Sequence, residues 1–245
     1  MSRFDTTRWS LVLQARGDEP QARMALEALC RTYRPAAIAY VRHRGYGNDA
    51  ADDLVQAFFL RFIDQSWHAG ADRERGRFRT YLLTMLKRHL GASAVEAGAL
   101  KRGGDVHIDS LDAATDIDAR DDDDPERHFE RTWAMTVLAH AFARLREEAE
   151  HTGKLDLFET LREFVLERPD DAEYAHAAEQ LGLRRNTLAV AVHRMRHRLR
   201  ALVEAELADT AASAADLDAE LDDLRSALQW NADTARNRAD ANRKP

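Results

Sequence analysis

Residues Glu173 to Val203 read EYAHAAEQLGLRRNTLAVAVHRMRHRLRALV, and this stretch decides the fold. Tyr174, Ala175, Ala178 and Leu181 fall at helical spacing, the pattern breaks at Gly182-Leu183, and a longer helix restarts at Arg185. The alanines allow two helices to cross closely, and Gly182 can take the positive φ that ends the first. Leu188 and Val192 mark the inner face of the second. This pattern is what a helix-turn-helix requires. From Leu181 to Arg200 there are arginines at 184, 185, 194, 196, 198 and 200 and no acid, in a chain of formal charge -7. One reading is the electrostatic footprint of phosphate contact by a recognition helix; the other is a solvated basic face on an ordinary helical hairpin.

Composition supports an all-α protein. The 245 residues suit one large or two small domains, 44% are hydrophobic and 32% charged, and there are only 5 prolines and 11 glycines. No strand-like alternation of β-branched residues occurs. No apolar run approaches the ~18 residues of a membrane span, and MSRFDTTRWS lacks a signal-peptide core, so a cytoplasmic protein without membrane contact is expected. The single cysteine, Cys30, excludes an internal disulfide and reads as a core residue. Charge is unevenly spread: Asp105 to Glu126 holds ten acids and one base, a segment of -9 that leaves the rest of the chain at +2.

Working outward, the chain divides into a first helical domain (1–102), an acidic linker (103–125), a second helical domain (126–207) and a C-terminal extension (208–245). Thr7 can cap a short helix carrying Trp9, Val12 and Leu13. A long helix from Pro20 is expected to kink or break at Pro35. The segment NDAADDLVQAFFLRFID starts at Asn48 and places Leu54, Val55, Phe58, Phe59, Phe62 and Ile63 inward, with Asp53, Gln56 and Arg61 on its polar side. The helix FRTYLLTMLKRHL then packs Phe78, Leu82, Met85 and Leu86. Asp72 to Arg102 holds eight Lys/Arg against three acids, a second basic surface. Tyr81 and Trp67 lie near it, either to stack on bases or as plain core. The linker lacks helical periodicity and reads as flexible. Phe129, Trp133, Val137 and Ala141 mark the next helix, and Leu155, Phe158, Leu161 and Val165 another. After Leu207, a helix over about 214–228 carries Leu217, Leu221, Leu224 and Leu228, and the tail from Asn231 reads as disordered. Its acids suit a lid over the arginines between 184 and 200; alternatively its leucines complete the second core.

Enzyme signatures are missing. Thr152-Gly153-Lys154 lacks the glycine and Ser/Thr of a P-loop, and Asp121 to Asp124 lacks the alternation of a calcium loop. His193 and His197 lie one turn apart without a third ligand. A metal-dependent nuclease would need a spaced carboxylate constellation that the sequence does not offer. No catalytic residue, metal or cofactor is expected.

In this order and spacing, the segments resemble an ECF (extracytoplasmic function) sigma factor of the sigma-70 family, over roughly Gln21 to Leu207. DAADDLVQAFFLRF resembles the family's DAEDLxQxxFxRL segment, and GRFRTYLLTMLKRHL resembles its FRxWLxxIxxN segment. TTRWSLVLQARGD, KRGG and the C-terminal extension resemble a subgroup with extended termini. The resemblance implies a transcription initiation factor that joins core RNA polymerase, through its clamp and flap regions, to promoter DNA. It implies polymerase binding by Asp52, Asp53, Gln56 and Arg61. The −10 element would fall to Arg77, Arg79, Tyr81, Lys87, Arg88 and His89. The −35 element would fall to Arg185, Asn186, Thr187, Val190, His193, Arg194 and Arg198.

The sequence also departs from that pattern. Val55 stands where the subgroup often has a threonine open to a kinase, Ala57 replaces a frequent acid, Arg184 replaces the usual Ser/Thr cap and Ala189 a frequent arginine. Regulation by an anti-sigma factor or a kinase, and a monomeric free state, are further expectations of the resemblance. The alternative function is a stand-alone helix-turn-helix regulator that never meets polymerase; the polar helix at 48–64 argues against it.

Overall fold

The computed structural model describes residues 20–64, 77–102, 124–167, 170–208, 211 and 214–241. They form eight helices, and no strand occurs among the described residues: α1 Pro20–His43, α2 Asn48–Asp64, α3 Phe78–Arg102, α4 Pro125–His151, α5 Leu155–Leu166, α6 Asp171–Leu181, α7 Arg185–Ala208 and α8 Ala214–Ala241. The protein is all-α, as its composition implies. The expected first helix at Thr7, Trp67 and residues 103–123 of the acidic linker lie outside the described residues, while Pro125, expected in the linker, opens α4.

The chain forms two compact units, one of residues 1–135 with 209–245 and one of residues 136–208. The C-terminal extension therefore belongs to the first unit. The reading of that extension as the completion of the second core is not what this partition gives. α4 supplies its first part to one unit and its second to the other.

In the first unit, α1 buries Leu29, Tyr33, Ala36, Ala37, Tyr40 and Val41, positions on one face of a 3.6-residue repeat. α2 buries Ala51, Val55, Phe58, Phe59 and Phe62 at the same kind of spacing. α3 contributes Phe78, Leu82, Leu83, Leu86 and Leu90. Aromatic edges join the three helices: the rings of Tyr33 and Phe78 lie 5.2 Å apart, and those of Phe62 and Phe78 6.3 Å. Each fully buried phenylalanine contributes about 1.5–3 kcal/mol. That sum explains why α1 does not break at Pro35. The helix runs through Pro35, whose local cost of about 3 kcal/mol is offset by one continuous apolar face on both sides of it.

Gly45, at φ 91°, then turns the chain towards α2. Asp52 on α2 receives Arg34 at 3.0 Å and Arg42 at 3.5 Å, both from α1. Ile63, expected inside, is 38% exposed. It sits one turn beyond Phe59, where the buried face of α2 has rotated past it.

In the second unit, Asp170 caps α6 by accepting from the backbone N–H groups of Ala172 and Glu173, each at 2.8 Å. Glu173 reaches back to the Asp170 N–H at 2.7 Å, completing a capping box. Gly182 ends α6 at φ 62°, and α7 begins three residues later. Leu161, Ala177, Leu188 and Val192 form the core at this turn, with Tyr174, Ala178 and Leu181 against it. Ala178 takes the expected place between α6 and α7, with Ala177 buried beside it, whereas Ala175, expected with them, is exposed.

Two elements are longer than their sequence patterns. α3 continues beyond Leu90 to Arg102 and α8 beyond Leu228 to Ala241, where a disordered tail was expected. Ala232, Ala235, Ala239 and Ala241, with two arginines, supply high helix propensity there without any apolar stripe.

Candidate nucleic-acid and partner interfaces

The solvent side of α2 is mixed. Asp53, Gln56 and Arg61 are exposed, and Asp53 and Arg61 make no ion pair among the described residues. Between them stand Leu60, 55% exposed, and Ile63. Asp53, Gln56, Leu60 and Ile63 follow one another at spacings of three or four residues, so they share one face. An exposed apolar pair inside a polar rim is an interaction surface more readily than a solvated face. Asp52, expected beside them, is tied to α1 instead.

The five α3 positions expected to hold nucleic acid, with Arg77 just before the helix, differ sharply among themselves. Lys87 and Arg88 are exposed, and Lys87 pairs with Glu126 at the start of α4. Tyr81 is half-buried, with its ring 6.5 Å from that of Phe62; burial raises its hydroxyl pKa and Arg88 partly opposes the rise. Arg79 and His89 are both 3% exposed. Neither side chain is open to solvent, in contrast to the expected row of surface bases. The reason is helical phase: Arg79 and His89 fall next to Phe78 and Leu90 on the buried side of α3.

Arg79 occupies a cage that no short sequence motif announces. Its Nε lies 2.6 Å from Glu130 Oε2 of α4, an ion contact rather than a well-directed hydrogen bond. Its Nη1 donates to Glu220 and its Nη2 to Asp223, the latter at 2.6 Å, both carboxylates from α8. Its guanidinium carbon lies 3.9 Å over the ring of Trp133, a cation–π contact. Burial works to lower the Arg79 pKa, but Glu220 and Glu130 outweigh it and the net shift is upward. The Glu130 carboxyl is itself raised by burial, despite the opposing Arg79 charge. Arg77 lies on the open side of the cage, donating to Asp223 and with its Nε 4.0 Å from Glu220. A cavity of about 430 Å³ adjoins these groups, lined also by Thr80, Glu126, Arg127 and Ser226.

On α7 the picture is simpler. Arg185, Asn186, Thr187, Val190, His193, Arg194 and Arg198 are all exposed, as expected of one outward face. Arg184, Arg194 and Arg200 make no ion pair among the described residues. Arg185 pairs with Asp171 at the start of α6. Arg198 grips Glu148 of α4 with two donors at 2.7 and 2.5 Å; that hydrogen bond lowers the Glu148 pKa and raises that of Arg198. Arg196 does something the sequence did not suggest. Its guanidinium donates to the carbonyls of Phe164, Val165 and Glu167 at 2.6, 3.2 and 2.8 Å. It thus closes the C-terminus of α5, where a cation suits the helix dipole. Asn186, Thr187, Val190, Arg194 and Arg198 also line a groove of about 810 Å³ with Leu157 and Phe158 of α5.

One feature of these sites has a local signal in the sequence. The D-x-x-E of Asp170 to Glu173 is a readable capping box. Glu130, Trp133, Glu220 and Asp223 had none, because their shared partner is distant in sequence. The Cys30 thiol is pushed up to about 12 by burial, with Glu27 adding to the rise, so it stays protonated and is no nucleophile at neutral pH. No helix is long and apolar enough to cross a membrane among the described residues.

Residues 29–90 match the family model of Sigma-70 region 2. That segment runs from within α1, through all of α2, to Leu90 in α3. The first unit therefore contains a Sigma-70 region 2 domain, which supports a sigma-factor-type role in transcription. No curated protein and no solved structure matches the chain significantly.

Proposed function

We propose that the chain is a transcription initiation factor of the ECF kind, which binds core RNA polymerase and directs it to promoters. The single observation that carries the reading is the region 2 match over residues 29–90, whose α2 displays the Asp53, Gln56, Leu60 and Ile63 stripe. In this reading that stripe docks on the polymerase clamp, with Arg61 beside it. Lys87, Arg88 and Arg77 hold phosphates of the −10 strand, and Tyr81 stacks on an unpaired base. Stacking of that kind is worth about 1–3 kcal/mol per base.

The second unit takes the −35 element. α6, the Gly182 turn and α7 act as a helix-turn-helix, with α7 in the major groove. Arg194, without an ion pair among the described residues, reads base edges with Asn186, Thr187, Val190 and His193, and Arg185 and Arg198 help to hold the backbone. The chain performs no chemistry itself; its work is binding and melting, for which it needs no cofactor. An anti-sigma factor or kinase as regulator belongs to the same proposal.

The test is core-dependent transcription from a random promoter library, alongside capture of core polymerase by the tagged chain. Enriched promoters sharing two spaced elements, together with capture of polymerase, are expected. A chain that binds duplex DNA alone, captures no polymerase and yields no transcripts would be a stand-alone regulator, and the reading would fall.

A further inference from the structure

Three acidic or apolar features of α8 need an explanation that the proposed function does not supply. Glu220 is 5% exposed and Leu224 6%, so this helix is seated in the first unit rather than lying free. Its Asp223 bridges Arg77 and Arg79, and its Glu220 reaches both as well. The remaining acids of the same stretch, Asp216, Asp218 and Asp222, are not buried. Two carboxylates at a spacing of three residues thus meet two arginines at a spacing of two. Carboxylate oxygens on a guanidinium satisfy the same donors that phosphate oxygens would.

We infer that α8 is an intramolecular strap that holds Arg77 by phosphate mimicry, and that single-stranded nucleic acid binds α3 fully only when Asp223 lets Arg77 go. The inference rests on the reading of α3 as a nucleic-acid surface and adds its regulation. The two arginines play different parts. Arg79, with Glu130 and Trp133 as well as α8 around it, stays in place as the anchor of the cage. Arg77 has 32% of its side chain exposed and Asp223 has 40%, so this pair opens to solvent and can exchange one anion for another. The adjoining cavity with Thr80, Arg127 and Ser226 gives an incoming phosphate polar partners beside Arg77. Because the strap lies in the same chain, its effective concentration is high and weak competitors do not displace it. A long polyanion presented by a bound partner does.

The experiment uses the full chain and a fluorescent single-stranded oligonucleotide, titrated by anisotropy at several salt concentrations. Asp223→Asn should tighten binding roughly fivefold at about 0.1 M salt and steepen the salt slope by about 0.7, the share of one phosphate contact on a single strand. Arg77→Ala alone should change affinity little, since Arg77 is already occupied, but it should cancel the gain in the Asp223→Asn background. Amide exchange over residues 214–229 should rise when the oligonucleotide saturates the wild-type chain. Unchanged affinity in Asp223→Asn, with α8 amides exchanging faster than in wild type, would overturn the strap as a gate. Lys87→Ala and Arg88→Ala keep the two levels apart. If they weaken binding while Asp223→Asn does nothing, only the strap falls. If none of the four substitutions alters binding, the nucleic-acid reading of α3 falls, and the strap with it.

Discussion

Arg79 and Arg194 bear the same side chain in opposite surroundings. Arg79 is 3% exposed, covered by a tryptophan face and held by three carboxylates. Arg194 stands in solvent on α7 and makes no ion pair among the described residues. A guanidinium taken out of water must be matched nearly completely by charge and hydrogen bonds, or its desolvation destabilises the fold. One left in water keeps its charge available for a partner. Basic residues counted along a sequence therefore measure two different things. On α3 much of the count is internal structure, while on α7 most of it faces outward.

The comparison breaks most visibly at Arg79. Arg79→Ala leaves Glu130 and Glu220 facing each other around an empty centre and removes the contact with Trp133. A loss of about 3–5 kcal/mol in unfolding free energy is expected from breaking a buried ion cluster on one side, measured by urea denaturation. Arg79→Met combined with Glu220→Leu should recover part of it, since an apolar filling strands fewer charges. Equal stability of Arg79→Ala and wild type would mean that the cage contributes nothing. In a chain of this kind that result would also remove the reason for α8 to be seated in the first unit.

The helices themselves were largely readable, and the reasons are local. Leu188 and Val192 lie one turn apart, Gly182 permits φ 62°, and Val55, Phe58 and Phe62 keep helical phase; each signal sits within a few residues of its effect. The seat of α8 was not readable, because its acids complement arginines 184–200 as well as Arg77 and Arg79. Charge pattern alone does not choose between two basic clusters. The partners of Arg79 on α8 lie 141 and 144 residues away, and nothing local marks so distant a pairing. Pro35 signalled a kink or a break, and the break does not occur, because the apolar face of Leu29 through Val41 is shared on both sides of it. Likewise, Arg196 reads as one more arginine of the basic face until the three carbonyls at the end of α5 are seen around it.

A second way to sharpen the comparison is to reverse a charge that faces outward. Asp53→Arg should abolish capture of core polymerase, while stability shifts by less than about 0.5 kcal/mol, as is usual at an exposed helix position with no ion pair among the described residues. The paired measurement is a pull-down and a denaturation curve on the same preparation. Asp52→Arg is the contrasting variant: it repels Arg34 and Arg42 and should lower stability measurably. Retained capture by a folded Asp53→Arg protein would exclude this face of α2 as the docking site.

On α7 the effects are smaller and concern specificity. Arg194→Ala should cost about 1–3 kcal/mol of discrimination at one base pair of the −35 duplex. Arg200→Ala should instead weaken all sequences alike and reduce the salt slope by about one unit. Competition titrations against single-base variants at two salt concentrations distinguish the two. Parallel, sequence-independent losses in both variants would assign Arg194 to the backbone.

The smallest effect separates the outward arginines from one another. Arg198 is exposed like Arg194 but is held by Glu148, whose pKa is lowered from its ordinary 4.5, chiefly by the hydrogen bond from Arg198, which with the charges of Arg198 and Arg144 outweighs the opposing effect of burial. A carboxyl whose folded-state pKa lies below its unfolded one stabilises the fold above the unfolded value. That contribution is lost as pH falls through the folded value. At an exposed site it amounts to about 0.5 kcal/mol after solvent screening. Glu148→Gln should therefore lower the urea midpoint slightly at pH 7, and the difference from wild type should vanish as pH falls through the lowered folded-state value, where the wild-type carboxyl also becomes neutral. The same substitution weakens the tether on Arg198. Affinity for the −35 duplex should then rise at pH 7 with a steeper salt slope, because α7 gains an arginine in the state that Arg194 already occupies. A duplex affinity that stays constant while the stability difference follows pH as described would leave Arg198 on the structural side of the comparison, beside Arg79 and Arg196.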